Sequence, residues 1–282
     1  MSYAERGKTA WWRYPVAFVL ALVITIALAA AVVVPLMLLH LTPPDLADQL
    51  THVRNPTVFF VAVGLQFTAL LIGFVLAIRW LHGKRFGDIL GAWRWRGFAG
   101  GAAIWGAVLI GLTLIDLALA PGGFAFTATG RTPALILWAL PALAVQTFTE
   151  EFVFRGYVTQ GLLLATRRPV VAALISGLLF GLVHIPNGLP QALNAGIFGV
   201  VLALIAIRTG GLAFTTGLHL VNNLFGALVV VSKADVFGGA PGLFTQDTPQ
   251  LIWSDLALAV AATALVGWLV WKRGSPAPCA EA

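Results

Sequence analysis

Long apolar runs, separated by short polar segments, account for most of this 282-residue chain. A helix crosses the hydrocarbon core of a bilayer with about 20 mostly apolar residues. Eight runs come close to that length or exceed it, and each predicts a membrane-spanning helix. They are residues 14–41, 57–81, 97–120, 133–165, 169–186, 190–207, 211–231 and 251–271. The pattern predicts an all-α, polytopic membrane protein of about eight transmembrane helices, with residues 1–282 forming a single integral membrane domain.

Two of these runs have unusual lengths. Residues 133–165 are too many for one upright helix, so this helix must tilt, bend near Pro141 or extend beyond the membrane. Residues 14–41 are too many for the apolar part of a cleavable signal peptide, and no clear small-residue cleavage motif follows them. We therefore expect the first run to be retained as a signal anchor.

The composition excludes an ordinary soluble fold. Hydrophobic residues make up 59% of the chain and charged residues only 10%, whereas a soluble domain carries about 25% charged residues. The single cysteine, Cys279, excludes an internal disulfide framework. The net charge of +6 does not indicate nucleic-acid binding, because the cations lie in short loops between apolar runs.

The basic residues are distributed unequally between the two sets of loops. Thirteen of the 17 Lys and Arg residues flank the runs on one side, and three lie on the other. The first group is Arg6, Lys8, Arg13, Arg79, Lys84, Arg85, Arg94, Arg96, Arg167, Arg168, Arg208, Lys272 and Arg273; the second is Arg54, Arg131 and Lys233. Loops rich in Lys and Arg stay in the cytoplasm. We expect a multi-pass protein of the cell membrane with both termini cytoplasmic.

A small set of polar residues interrupts the apolar runs. Ionisable groups at membrane depth are costly, so each is a hypothesis for a functional residue. The set is Asp116, Glu150, Glu151, Arg155, His184 and His219, with the amides Asn222 and Asn223. Asp116, near the end of its run, is expected to be interfacial or structural.

Two adjacent glutamates and an arginine lie within the fourth run. On a helix Glu151 and Arg155, four residues apart, share a face and can form an ion pair. Glu150 points about 140° away from Arg155 and needs another partner. A carboxylate in a site of low dielectric constant is a plausible general base for water. The pattern therefore predicts a structural role for Glu151 and Arg155 and a chemical role for Glu150.

Two further pairs have the same spacing of four residues. Phe180 and His184 share a face of the fifth run, where an intramembrane histidine can also be a simple hydrogen-bonding partner between helices. His219 and Asn223 share a face of the seventh run and can together bind a water, a metal ion or a developing oxyanion. Asn222 lies on a neighbouring face and can support them.

Taken together, these motifs resemble those of the CAAX prenyl protease and bacteriocin-processing (CPBP) family. The motifs are Glu150-Glu151-x-x-x-Arg155, Phe180-x-x-x-His184 and His219-x-x-x-Asn223, in family order on successive runs. The resemblance implies an intramembrane endopeptidase whose catalytic core is residues 133–231. Its substrate would be a membrane-anchored peptide or protein, prenylated or not, and its other partner the lipid bilayer rather than nucleic acid.

The resemblance also implies roles for these residues. Glu150, assisted by His184, would activate the water, and His219 with Asn223 would bind the oxyanion or orient the water. Glu151 and Arg155 would brace the fourth helix. Family members are commonly labelled metalloproteases, so the cofactor could be a divalent metal such as zinc. Glu150, His184 and His219 would be the metal ligands. A route without a cofactor, in which a glutamate activates the water, is equally open.

Two other functions fit the same residues. A proton-coupled transporter would use them to carry protons or bind a cation, although the sequence shows no internal repeat. A non-catalytic membrane scaffold or immunity protein would use the same fold for binding. One geometric conflict also stands: His184 would lie about 22 Å from the start of its helix and His219 about 12 Å from the start of its own. The fifth helix must therefore start well outside the membrane or tilt strongly.

Overall fold

The computed structural model describes residues 3–43, 53, 55–130, 132–233, 236–247 and 252–273. Arg54, Arg131 and Cys279, which entered the sequence predictions, lie outside the described residues. The helices are α1 Arg13–Leu38, α2 Pro56–His82, α3 Phe86–Leu90, α4 Trp95–Leu119, α5 Thr132–Thr166, α6 Pro169–Leu182, α7 Leu189–Thr209, α8 Ala213–Val229 and α9 Ile252–Arg273. Three short strands are β1 Phe124–Phe126, β2 Val230–Ser232 and β3 Phe244–Gln246.

The prediction of an all-α, multi-pass membrane protein is confirmed, but the count of eight spans is not. In the described part of the chain, six helices are long and apolar enough to cross a membrane. Helices α6 and α8 are shorter apolar helices that fall below that length. The predicted span at 169–186 was too long because Pro186 lacks the backbone N–H that a continuing α-helix would donate to the Leu182 carbonyl. Helix α6 ends at Leu182, and a 3₁₀ turn follows over Ile185–Asn187.

Helix α5 is 35 residues long and changes its hydrogen-bonding pattern in the middle. It is α-helical over Thr132–Glu150, π-helical over Glu151–Val158 and α-helical again over Thr159–Thr166. The helix continues through Pro141, where the sequence allowed a bend, and its π segment instead begins at Glu151, within the glutamate pair. Such π segments are rare and often occur at functional sites.

Helices α4 and α8 pack closely against each other, with glycines at their contact. A Cβ atom at Gly101 would lie 2.1 Å from the carbonyl oxygen of Phe214, and one at Gly217 would lie 2.0 Å from that of Phe98. Side chains larger than hydrogen therefore cannot be accommodated at either contact without displacing backbone. The backbones approach closely enough for Trp105 on α4 to reach Asn222 on α8.

The predicted basic loops lie together at one end of the bundle, which we call the basic end. It comprises residues 3–12, the α2–α4 connection at 83–94, and the turns at 167–168 and 210–211. Arg6 pairs with Asp88 at 2.9 Å, and Arg167 pairs with Glu5 at 3.2 Å. Gly91 forms a backbone bridge with Gly211. These contacts join the segments that the charge pattern had placed on one side.

The opposite end carries a small sheet, with the strand order β1-β3-β2. Strand β3 pairs antiparallel with β1, with Ala125 opposite Thr245, and parallel with β2, with Val231 opposite Thr245. The sheet joins the segment between α4 and α5 to the segment between α8 and α9. It packs next to a hydrophobic cluster that includes Phe60, Leu143 and Val231. The two sets of loops are thus segregated to opposite ends, as a membrane protein requires.

Candidate active site

The two adjacent glutamates lie where α5 changes from α to π geometry. Glu151 is fully buried and Glu150 is 8% exposed. Because both face the interior of the bundle rather than its lipid-facing surface, each needs polar partners from the protein. Those partners come from α5 and α8.

The ion pair predicted from spacing is present. Arg155 Nη1 lies 3.1 Å from Glu151 Oε1, and both side chains are fully buried. The guanidinium carbon also lies 4.1 Å from the centre of the Phe180 ring on α6. Arg155 therefore joins α5 to α6 through a charge pair on one side and an aromatic face on the other.

His219 lies between the two glutamates, a contact that the sequence analysis did not foresee. Its Nδ1 is 2.8 Å from Glu151 Oε1, and its Nε2 is 3.5 Å from Glu150 Oε2. A carboxylate only accepts, so the Glu151 contact places a proton on Nδ1 and directs Nε2 at Glu150. Arg155 balances one of the two carboxylates, and a proton shared between His219 Nε2 and Glu150 Oε2 would make the whole group neutral.

A chain of amide hydrogen bonds holds the other oxygen of Glu150. Gln146 Nε2 donates to Glu150 Oε1 at 2.8 Å, and Asn223 Nδ2 donates to Gln146 Oε1 at 3.0 Å. Asn222 Nδ2 donates to Asn223 Oδ1 at 3.2 Å, and Trp105 Nε1 donates to Asn222 Oδ1 at 3.0 Å. An indole only donates and a carboxylate only accepts, so the two ends fix the orientation of every amide between them.

Asn223 has hydrogen-bond partners within the protein. Its Nδ2 donates to Gln146 and also to Thr147 Oγ1 at 3.2 Å. Both amide hydrogens are thus used within the protein rather than directed at a ligand. The structure places Asn223 behind Glu150, where it orients Gln146, and leaves His219 Nε2 as the group closest to the free Glu150 oxygen.

Glu150 Oε2 is the one oxygen of this carboxylate without a hydrogen-bond donor from the described residues, although it is buried. Its 3.5 Å separation from His219 Nε2 is an electrostatic contact rather than a hydrogen bond. The site therefore holds one carboxylate oxygen firmly and leaves the other available for a proton.

His184 lies outside the helix on which the sequence placed it. It precedes the 3₁₀ turn after α6, and its Nδ1 bonds to the backbone oxygen of Phe180 at 2.7 Å. Within the described part of the chain, neither of its ring nitrogens forms a hydrogen bond to Glu150 or His219. Phe180 connects them: its ring centre is 4.5 Å from that of His184 and 5.9 Å from that of His219.

The depths of the polar residues can be compared along the helices. Counted this way, Glu150 and His184 lie at matching heights, each roughly 22–24 Å from the turn at 167–168. His219 is about 9 Å from the start of α8, yet it contacts Glu150 directly. The α5–α6 pair must therefore either extend past its neighbours or tilt against them, and both solutions expected from the sequence stay open.

The residues do not fit the three-ligand metal site that the resemblance allowed. Glu150 and His219 are neighbours, but within the described residues His184 forms no hydrogen bond or ion pair with either of them. In the described ranges no group of three or more His, Cys, Asp or Glu residues could hold a metal ion.

Three residues of this cluster were missed by sequence reasoning. Gln146 is a polar residue four positions before Glu150 in an apolar run, so its spacing could have revealed it. Thr147 and Trp105 gave no comparable signal, because their roles depend on helices packed across the bundle. Asp116, in contrast, lies apart from the cluster, and Gln246 on β3 donates to it at 3.5 Å.

The helices that carry this cluster can be compared with known families. Residues 132–225 match the model of the family described as type II CAAX prenyl endopeptidase Rce1-like. We call these matched residues, a third of the chain, the Rce1-like domain. They run from the start of α5 into α8 and include all six residues that the sequence analysis assigned to the site. Trp105 lies outside it, on α4.

The similarity to one relative extends beyond the Rce1-like domain. The chain is 27% identical over 281 residues to a protein of Bacillus subtilis (strain 168) named "Uncharacterized protein YyaK". The alignment covers 94% of this chain and 93% of that protein. No solved structure matches the chain. The similarity to this relative therefore extends over almost the whole chain, whereas the family model matches only its central third.

Proposed function

We propose that this protein is an intramembrane endopeptidase of the CPBP type, and that Glu150 is its general base. The observation that carries the proposal is the buried Glu150 carboxylate: one oxygen is held by Gln146, and the other faces His219 Nε2 at 3.5 Å without a protein donor. The Rce1-like domain around it supports the same reaction class.

The proposed reaction is hydrolysis of a peptide bond by one water molecule. Glu150 Oε2 takes a proton from the water, and the water oxygen attacks the peptide carbonyl carbon. The proton shared by the two groups lies on His219 Nε2 before the attack, and Nε2–H donates to the carbonyl oxygen as negative charge develops there. When the tetrahedral intermediate collapses, the carbon–nitrogen bond breaks and the proton on Glu150 passes to the leaving amine. Acid and amine products then leave with the catalytic groups restored.

Glu151 and Arg155 position His219 in this scheme. The Glu151 carboxylate keeps the proton on Nδ1 and so fixes which face of the imidazole reaches the substrate. Arg155 neutralises Glu151, which would otherwise be an uncompensated buried charge. Their contribution is therefore to orientation and stability, as expected from their spacing.

His184 and Asn223 have supporting parts. The Phe180 carbonyl accepts from His184 Nδ1, so the neutral ring carries its lone pair on Nε2 and can assist in holding the water. Asn223 was expected to bind the oxyanion; with both amide hydrogens engaged, we assign it to the support of Gln146. No step is routed through a metal, since the side chains do not form a three-ligand set.

The proposed substrate is a peptide or protein anchored in the membrane, either by a prenyl group or by an apolar segment. We place the basic end in the cytoplasm, following the distribution of Lys and Arg, with both termini on that side and the protein in the cell membrane. His219 is about two turns from its end of α8. Cleavage would occur within or just beneath the cytoplasmic half of the bilayer.

The test uses the purified full chain in nanodiscs with a panel of membrane-anchored peptides, prenylated and unprenylated. Wild type should cleave at least one peptide, and Glu150→Gln should not. Glu5→Gln is the matched control, because Glu5 is an exposed carboxylate paired with Arg167 at the surface. Equal cleavage by wild type and Glu150→Gln would exclude the proposed base. Proton-coupled uptake without cleavage would indicate the transporter, and binding without turnover would indicate the scaffold.

A further inference from the structure

A groove of about 330 Å³ lies at the basic end of the bundle, on the side of α5 that faces α2 and α3. Its walls include Val75, Leu76, Phe86 and Phe152, and its rim carries Arg79 and Arg85. Glu150 and Glu151 contact α8 instead, so the groove is not part of the candidate active site. It combines an apolar floor with a basic edge.

The two rim arginines have no acidic partners. Both are exposed, and in the part of the chain that the structure describes no acidic side chain forms an ion pair with either one. The nearby Asp88 is already bound by Arg6 at 2.9 Å and by the backbone amide of Arg85 at 2.8 Å. Two guanidinium groups are therefore left at the rim with their charge uncompensated, which favours an anionic ligand.

The groove continues as an apolar stripe along α2. Ile72, Leu76 and Arg79 are spaced at i, i+4 and i+7, so they lie on one face of the helix. Ile72 is 42% exposed and faces away from the core. The path leads from the charged rim toward the middle of the span. Trp80, which is 63% exposed beside Arg79, is a residue type that concentrates at the membrane interface.

We propose that this groove binds an anionic phospholipid. Its phosphate contacts Arg79 and Arg85, and one acyl chain lies along Leu76 and Ile72. The charge of the rim matches a phosphate, and the apolar stripe matches an acyl chain, whereas a free inorganic anion would use only the rim. Because Phe86 stacks on Phe152 with ring centres 5.2 Å apart, bound lipid would press against the residue that follows Glu151.

The test compares thermal unfolding of the purified full chain in detergent as phosphatidylglycerol or phosphatidylcholine is added. A ligand of the folded state raises the midpoint according to its affinity. Phosphatidylglycerol should raise it and phosphatidylcholine should not. The double variant R79Q/R85Q should weaken the apparent affinity for phosphatidylglycerol roughly 10- to 30-fold. The matched control R94Q/R96Q removes two exposed arginines outside the groove and should leave the response unchanged.

A second variant tests the acyl-chain path without changing any charge. Leu76→Trp fills the groove and should also weaken the response to phosphatidylglycerol. The proposal is overturned if R94Q/R96Q loses the response as much as R79Q/R85Q, because the effect would then be general surface charge. It is also overturned if inorganic phosphate reproduces the shift or if both lipids act equally. None of these outcomes depends on peptidase activity.

Discussion

The indole nitrogen of Trp105 lies 3.0 Å from Oδ1 of Asn222, and this bond begins a directed chain of amides that ends on Glu150. The two residues are 117 positions apart, on α4 and α8. Since every bond in the chain runs in the same direction, the indole N–H determines how each amide is turned. Trp105 thereby orients a carboxylate that it does not touch.

Trp105→Phe should lower kcat while leaving KM for the peptide nearly unchanged. The substitution leaves Asn222 Oδ1 without its donor, and a lost buried hydrogen bond costs about 1–3 kcal/mol, equivalent to roughly a 5- to 150-fold change in rate. Steady-state cleavage measures both constants. Trp253→Phe, at a residue that is 61% exposed on α9, is the control. A change in KM alone would assign Trp105 to substrate binding instead of positioning.

Arg155→Ala should destabilise the protein more than Glu150→Ala does. Removing Arg155 leaves Glu151 as a buried charge without its partner, at a cost of roughly 3–5 kcal/mol. Glu150 is less buried, and its loss removes a negative charge from the cluster. The thermal unfolding midpoint and the yield from membranes measure the difference, with Arg168→Ala at an exposed position as control. If Glu150→Ala unfolds the protein and Arg155→Ala does not, the two roles are reversed.

Lys84 provides a pH dependence at the basic end. Its amine is buried and donates to the backbone oxygen of Ala4 at 2.8 Å, and burial lowers its pKa from 10.5 to about 8. The folded state therefore binds fewer protons than the unfolded state between about pH 8 and 10.5, so this group makes stability rise with pH in that window.

Lys84→Met removes that titration. The midpoint of wild type, compared with that of the variant, should increase as the pH is raised from about 8 toward 10. Lys8→Met, in the exposed N-terminal segment, provides a control for the loss of a positive charge. A difference between wild type and Lys84→Met that stays constant across this range would show that the amine does not titrate there.

Chelation should leave peptide cleavage unchanged. In the described ranges Glu150, His184 and His219 are not gathered into a group of three residues that could hold a metal ion. Cleavage rates before and after treatment with a chelator, and after adding zinc, test this directly. Activity that disappears with the chelator and returns with zinc would mean that the side chains rearrange around a metal.

The sequence predicted the features that depend on hydropathy and on spacing along one helix. The apolar runs predicted most of the long helices, and the basic residues predicted which loops lie at the same end. The spacing of Glu151 and Arg155 predicted their ion pair. The sequence could not predict the contacts between helices. The position of His219 between two glutamates depends on how α5 packs against α8, and no pattern along either helix encodes that distance.

Local geometry accounts for the other differences. The Ile185-Pro186 sequence was included in a span because its residues are apolar, but Pro186 has no N–H with which to continue the α-helix past Leu182. His184 consequently lies in a turn, not on a helix face. The strands have three residues each, too few for a period-two pattern to be visible against the surrounding apolar sequence.

The central claim is that Glu150 and His219 act as one unit in peptide hydrolysis, and their single-turnover cleavage rates test it most directly. A general acid or base contributes roughly 10²- to 10⁴-fold, so Glu150→Gln and His219→Gln should each slow cleavage by about that factor. Because residues that act as a unit are not additive, the double variant should be little slower than either single variant. Cleavage by Glu150→Gln at the wild-type rate would contradict the account.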